Sequence, residues 1–459
     1  MLSRSHIKIY LFTLQTLLFT ALLGPYLAEV FQDYNTNISP NKPETNTVGF
    51  WNFELGLNRP DSYFPKQKPE QYKDYIQGKQ TGELFGSSIA LNSMGNRMAI
   101  GAPMSNINGK KTGQVRIYES NLGKWTQLCT IEGKQDGEMF GSRLALNAKG
   151  SKIAIGAPTS TSNDKQSGNV RVFELASDGK LHQLGETIYG KDSQEFFGGA
   201  LTLNATGTRI AIGAPFSNVF GKYEGRVSAY ELQHKKWVQL GIDIKNDEVS
   251  TEAQLGSSVS FNSDGSRLAI GIPFCNESNR NAGQVKVMEW VNSEWVRLGN
   301  PINGSDKNDM LGSSVSLSPD GSRLAVLTTP MGEGSGKKKP GKVQVFEFQN
   351  MEWKTFGTPI HGNLTGSSVA FGNNGNTLVI GMPFGVNPEK KQKSGKTQVY
   401  FLDDDVWTLH STYYGRTNGE LYGTALGVSG NAKSLAIGAP FNDEKGEQSG
   451  QVHIITIEE

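Results

Sequence analysis

Cysteine, histidine, proline and net charge are all scarce in this sequence, and each shortage removes a class of protein. Two cysteines in 459 residues cannot build a disulfide framework, and no Cys-x-x-Cys occurs. Six scattered histidines form no His-x-x-x-His pair. With 18 prolines, and glycines that follow no three-residue period, collagen is excluded. The 45 basic and 44 acidic side chains leave a net charge of +1, so the chain as a whole has no electrostatic pull toward nucleic acid or anionic lipid. Apolar residues make up 36%, which is lean for a large helical core, yet 7 Trp, 22 Phe and 14 Tyr argue against disorder. What the chain has in excess is glycine, 55 in all.

The one long apolar run lies at the start. MLSRSHIKIY carries Arg4 and Lys8 and leads into Tyr10 to Leu23, which Gly24-Pro25 ends. A charged segment followed by an apolar one is the order of a secretory signal, cleaved after Ala28, although Tyr26 fits the small-residue rule for cleavage poorly. Ile9 to Leu27 is also just long enough to act as an uncleaved membrane tether, and a buried helix is the third reading. Residues 1–28 are therefore expected to be a signal peptide or anchor, and a polar, Pro/Asn-rich linker follows over 29–69, interrupted by the apolar GFWNFELGL at 49–57. Five Asn-x-Ser/Thr sequons, at Asn37, Asn204, Asn276, Asn303 and Asn363, suit a secreted or cell-surface protein.

From residue 70 to 459 the sequence repeats itself. A glycine follows an apolar or aromatic residue at Gly86, Gly141, Gly198, Gly256, Gly312 and Gly423, and follows Thr365 at Gly366, with spacings of 54 to 58 residues. A second marker, of the form Ile-Gly-Ala-Pro, ends at Pro103, Pro158, Pro215, Pro273, Pro330, Pro383 and Pro440. A third, Gly-x-Val-x-apolar, begins at Gly113, Gly168, Gly225, Gly283, Gly341, Gly395 and Gly450. A fourth is an outer run such as KWTQL or EWVRL. All are short, rich in β-branched and aromatic residues, and bounded by Gly, Asn, Asp or Pro, which marks strands. Four strands per unit and seven units predict an all-β fold, a seven-bladed β-propeller of four-stranded blades.

The outer run is one short, because the chain stops at QVHIITIEE. EQYKDYIQGKQTGELFG at 70–86 parallels KWTQLCTIEGKQDGEMFG at 124–141, so Tyr72 to Ile76 is expected to supply the outer strand of the last blade and close the ring. Small residues at the inner-strand start, such as Ser87-Ser88 and Gly198-Gly199, fit the crowded axis. Phe85, Phe140, Phe197, Leu255, Leu311 and Tyr422 are expected to wedge between blades.

A Phe-Gly-Ser start and an Ile-Gly-Ala-Pro turn in seven registered copies resemble the FG-GAP repeat, the blade unit of the integrin alpha-chain propeller. The resemblance implies a seven-bladed propeller whose commonest role is extracellular recognition or adhesion. It also implies a calcium loop between the first and second strands, but here that loop reads NSMGNR, NAKGSK, NSDGSR or SPDGSR, with at most one carboxylate (Asp264 or Asp320). No metal and no cofactor is therefore expected.

Three residues before the glycine marker stand Glu83, Glu138, Glu195, Asp309 and Glu420, with Ala253 and Asn363 in the other two repeats. In a propeller these positions encircle the axis, so the acids are candidate ligand contacts; the alternative is that each accepts a hydrogen bond from a backbone N–H in its own turn. Lysines in loops of the same face, Lys338 and Lys391 among them, are candidates for a polyanion or glycan patch, or are solvated tips. There is no Gly-x-Ser-x-Gly elbow and no phosphate loop. The expectation is a monomeric, non-enzymatic module that binds an extracellular protein or glycan through one face and binds no nucleic acid. A carbohydrate-active hydrolase or lyase and a structural matrix component are the alternatives. Cys129 and Cys275 fall in distant repeats and should be free thiols.

Overall fold

The computed structural model describes residues 74–162, 165–176, 180–246, 252–330, 340–372 and 375–457. The signal or anchor, the linker, Asn37 and Lys338 lie outside the described residues. Tyr72–Glu459 forms one compact unit, with no α-helix among the described residues.

Seven antiparallel sheets follow one another along the chain. The first blade consists of Ser88–Leu91, Arg97–Ala102, Gln114–Asn121 and Lys124–Glu132. Five further blades repeat that order, and in the second and fourth the outer strand is split into two short pieces that pair with the same neighbour. The seventh takes Leu426–Val428, Ser434–Ala439 and Gln451–Thr456 from the end of the chain and its outer strand, Asp74–Gln77, from the start. Asp74 lies opposite Ile454 and Gln77 opposite Gln451, so the ring closes as the repeat arithmetic requires, through the described part of the expected stretch and Gln77 beyond it; Tyr72 and Lys73 lie outside the described residues. First strands of neighbouring blades pack side by side all the way round, Ser88–Leu91 touching both Arg143–Leu146 and Leu426–Val428. The fold is a seven-bladed β-propeller.

Seven apolar clusters, one per blade junction, form the core. Phe85 joins Val452 and Ala436 of the seventh blade to Met98 and Ile100 of the first. Phe140, Phe197, Leu255, Leu311 and Tyr422 do the same at five other junctions. The sixth blade departs from the pattern: Leu364, one residue before the polar Thr365, is the buried wedge.

The markers have local causes. In the second strand, a Cβ on Gly101 would stand 2.1 Å from the Gly141 carbonyl oxygen, and one on Gly271 would stand 2.0 Å from that of Gly312, so only glycine lets the next blade come this close. Hydroxyls of the inner strands do more than fit: Ser260, Ser314 and Ser316 accept bonds from the edge N–H groups of Leu317, Val369 and Phe371 in the next blade. They satisfy donors that the sheet leaves unpaired. Farther out, Trp237, Trp295 and Trp353 donate Nε1–H to the carbonyls of Leu184, Leu240 and Leu298 in the preceding blade.

Candidate functional site

Antiparallel four-stranded blades place their loops on two faces, and the two are built differently. One face carries the hairpins between first and second strands. In four blades an asparagine there (Asn92, Asn147, Asn204, Asn262) accepts backbone N–H bonds from the second-strand start through Oδ1. In two others a serine does so (Ser318, Ser429). Arg209, Arg267 and Arg323 pair with Glu231, Glu289 and Glu347 on the neighbouring strand and donate to a glycine carbonyl of the next blade. Asp264 and Asp320 spend their oxygens on Ser266, Ser318 and Ser322 within their own turns. Among the described residues no three His, Cys, Asp or Glu side chains come together as a metal site would require. This face is a near-uniform brace.

The other face carries the loops that join second to third strands and each outer strand to the next blade. Of the two readings of the five acids, as ligand contacts around the axis or as acceptors within their own turns, the structure shows the second: Glu83, Glu138, Glu195, Asp309 and Glu420 are buried. Each accepts a backbone N–H of its own turn, from Lys79, Lys134, Lys191, Asp306 and Arg416 respectively. Three also hold an arginine from the third strand of their blade. Arg116 forks onto Glu83, with Nη1 at 3.0 Å from Oε1 and Nη2 at 2.5 Å from Oε2. Arg171 meets Glu138 at 2.7 Å. Arg226 meets Glu195 at 2.8 Å and reaches Asp243 at 3.5 Å. Each guanidinium also stands over the blade's own wedge ring, Phe85, Phe140 or Phe197, at 5.0, 4.1 and 5.2 Å. Burying one of these ions alone would be prohibitive, and the paired opposite charge is what makes it tolerable.

The fourth blade shows why the acid and a preceding glycine travel together. A Cβ on Gly78, Gly133, Gly190 or Gly415 would lie 2.3–2.8 Å from the oxygen of Glu83, Glu138, Glu195 or Glu420. Where the acid is replaced by Ala253, the glycine is replaced by Asn246, also buried. In the seventh blade His453 stands at the register of Arg116, wholly buried. Burial, with the nearby Arg416 charge, pushes its pKa down to about 3. Burial raises the pKa of Glu420, against the opposing pull of bonds from Asn442 and Thr417. Sequence reasoning missed Arg116, Arg171 and Arg226; the signal was the basic residue recurring just after Gly113, Gly168 and Gly225.

Comparison with known proteins adds to the fold. A chain of the structure "Crystal Structure of Mitotic Checkpoint Complex" superposes with a TM-score of 0.53 at 10% identity, covering 91% of this chain and all of that one. A chain of Kuenenia stuttgartiensis hydrazine synthase gives 0.51 at 14% identity, covering 81% and 95%. These likenesses show the fold alone. No protein-family model matches the chain. VIP36-like protein of Pongo abelii is 30% identical over 115 residues, which is 24% of this chain and 33% of the relative, and the Homo sapiens protein is 30% identical over 112 residues, 24% and 32%. The chain spans about a third of the length of these curated relatives.

The other sequence candidates sort by exposure. Lys391 is exposed at a loop tip of this same face. Asn276, Asn303 and Asn363 are exposed, whereas Asn204 is buried and donates Nδ2 to the Asp264 carbonyl, which removes it as a glycan acceptor in the folded protein. Cys129 and Cys275 are free.

Proposed function

We propose that this protein is a recognition module of the FG-GAP-like, integrin alpha-like kind, exported to the cell surface or secreted, and not an enzyme. It binds a protein or glycan through the face bearing the second-to-third-strand loops. One observation carries this reading: on that face buried ion pairs hold a rigid base while the tips differ from blade to blade. Lys110 and Lys111 stand on the first blade, Lys390 and Lys391 on the sixth, and Asp443, Glu444 and Glu447 on the seventh. The opposite face repeats one hairpin chemistry. Specificity needs such variation on a fixed scaffold, whereas a wall component needs only the scaffold. Against an enzyme stands the engagement of all five acids in their own turns, which leaves none of the five poised for acid–base work. The N-terminal charged-then-apolar segment and the exposed sequons support export. The test is affinity capture from an extracellular matrix or cell-surface extract with the full chain, repeated after Lys110, Lys111, Lys390 and Lys391 are changed to Ser. Loss of the captured partner supports the reading, and hydrolysis of any captured glycan overturns it.

A further inference from the structure

One loop on the binding face differs in kind from its counterparts. Pro215 to Gly225 in the third blade, PFSNVFGKYEG, has the same eleven-residue length as Pro103 to Gly113 in the first, PMSNINGKKTG. On that common frame Met104 becomes Phe216, Asn108 becomes Phe220, Lys111 becomes Tyr223 and Thr112 becomes Glu224. Phe196, from the turn that enters the blade, completes the group. Its ring lies 5.2 Å from that of Phe216, which lies 5.8 Å from Tyr223, both edge-to-face. Phe196, Phe220 and Tyr223 are half-buried and Val219 is exposed, so the cluster reaches the surface.

A second observation is independent of the rings. Glu224 is 2% exposed, and its Oε2 has no hydrogen-bond partner. That oxygen lies directly beneath the loop tip, 2.6 Å from where a Cβ on Gly221 would stand. Beside it, Gln254 bonds through its backbone N–H to the Tyr223 carbonyl, and both polar atoms of its wholly buried side chain lack partners. At the same position other blades hold Leu84, Met139, Met310 or Leu421. Burial raises the pKa of Glu224, against the pull of Lys245 and Lys286. An orphaned group of this kind destabilises a folded protein, and a ligand that completes its hydrogen bonds recovers that loss.

We infer that the Phe196–Phe216–Tyr223 cluster, with Phe220 on the same loop and Glu224, is a carbohydrate subsite, in which a pyranose ring stacks on Phe220 or Tyr223 and a sugar hydroxyl donates to Glu224. This rests on the recognition reading above and names its ligand class. Flat aromatic faces beside a few convergent polar groups are the chemistry of such a pocket. A basic side chain is disfavoured, because a cation already stands over one face of each ring, leaving the sugar the other: Lys222 Nζ lies 5.6 Å from the Tyr223 centroid, and Lys245 Nζ lies 5.1 Å from that of Phe220.

The test uses the full chain on immobilised neutral oligosaccharides ending in glucose, galactose, mannose or N-acetylglucosamine, followed by titration of the soluble ligand. The variants restore the first blade's own residues, Phe220→Asn with Tyr223→Lys, and separately Glu224→Thr, which this loop frame already accommodates. The expected result is binding by the wild type and at least about tenfold weaker binding by both variants, with the melting temperature held. If a sugar binds and the double variant keeps its affinity within about twofold, the subsite is wrong while recognition through the face stands. If none of the four sugar classes is retained, the carbohydrate assignment is overturned, and the capture experiment with the lysine variants still decides the wider reading.

Discussion

Changing Arg116 to Met asks whether the acids on the face of the second-to-third-strand loops brace the fold or wait for a ligand. The side chain is 3% exposed and forks onto a carboxylate that is wholly buried. Methionine keeps most of the volume, so the loss is electrostatic: Glu83 keeps the Lys79 N–H and bonds from Gln114 and Ser105, but has no counter-ion. Breaking a buried pair from one side costs about 3–5 kcal/mol. A unit of roughly 390 residues has an unfolding entropy of about 0.8 kcal/mol/K at the usual ~2.1 cal/mol/K per residue, so the melting temperature should fall by about 4–6 °C. Changing both partners, Glu83→Gln with Arg116→Met, removes the uncompensated charge and should recover at least half of that. The assay is calorimetry of the full chain at neutral pH. A single variant that melts within about 1 °C of the wild type, or a double variant no better than the single, would refute the bracing role.

Other consequences follow from particular residues. Deleting residues 74–77 strips the seventh blade of its outer strand and reopens the ring; the melting temperature should fall by many degrees, and an unchanged value would contradict closure through Asp74–Gln77. His453 is buried with a pKa near 3, below its unfolded value of about 6.5, so the unfolded chain binds the extra proton between these values. Its contribution to stability is complete above pH 6.5 and declines at about 1.4 kcal/mol per pH unit as pH falls toward 3. The urea midpoint of the wild type should therefore drop more steeply below pH 6 than that of His453→Gln, and parallel slopes would show that the ring is not held neutral. In a glycosylating secretory host, mass spectrometry should find sugar at Asn276, Asn303 or Asn363 and none at Asn204; a fully occupied Asn204 would mean that its hairpin is open.

The fold was legible because each blade repeats contacts that only certain residues permit. Gly101 and its counterparts are required by a neighbouring carbonyl about 2 Å from any Cβ, so the glycine period reports the blade period directly. The closing strand could be found because the Ile-x-Gly-Lys-Gln core of 76–80 copies that of 131–135. The sixth blade's wedge was not legible because the polar Thr365 stands at the wedge position in the repeat, and Leu364 one residue earlier is the side chain buried there. At the candidate site, the positions of the acids and their bonds within their own turns were readable, and their arginine partners were not. Whether Glu83 points at solvent or at Arg116 depends on how the third strand registers against the entering turn, a contact between residues 33 apart in the chain. Glu224 gave no sequence signal as a single residue, and it stands out only once the loops of the first and third blades are laid on one frame.

Recognition through one face is tested most directly by lysine-reactivity mapping of the protein with and without its captured partner. Exposed lysines mark both faces: Lys110, Lys111, Lys222 and Lys391 on the variable one, Lys149 and Lys433 on the hairpin one. Partner binding should protect members of the first set and leave Lys149 and Lys433 as reactive as in the free protein. Protection of Lys149 and Lys433, with the first set unchanged, would place recognition on the opposite face and contradict this expectation.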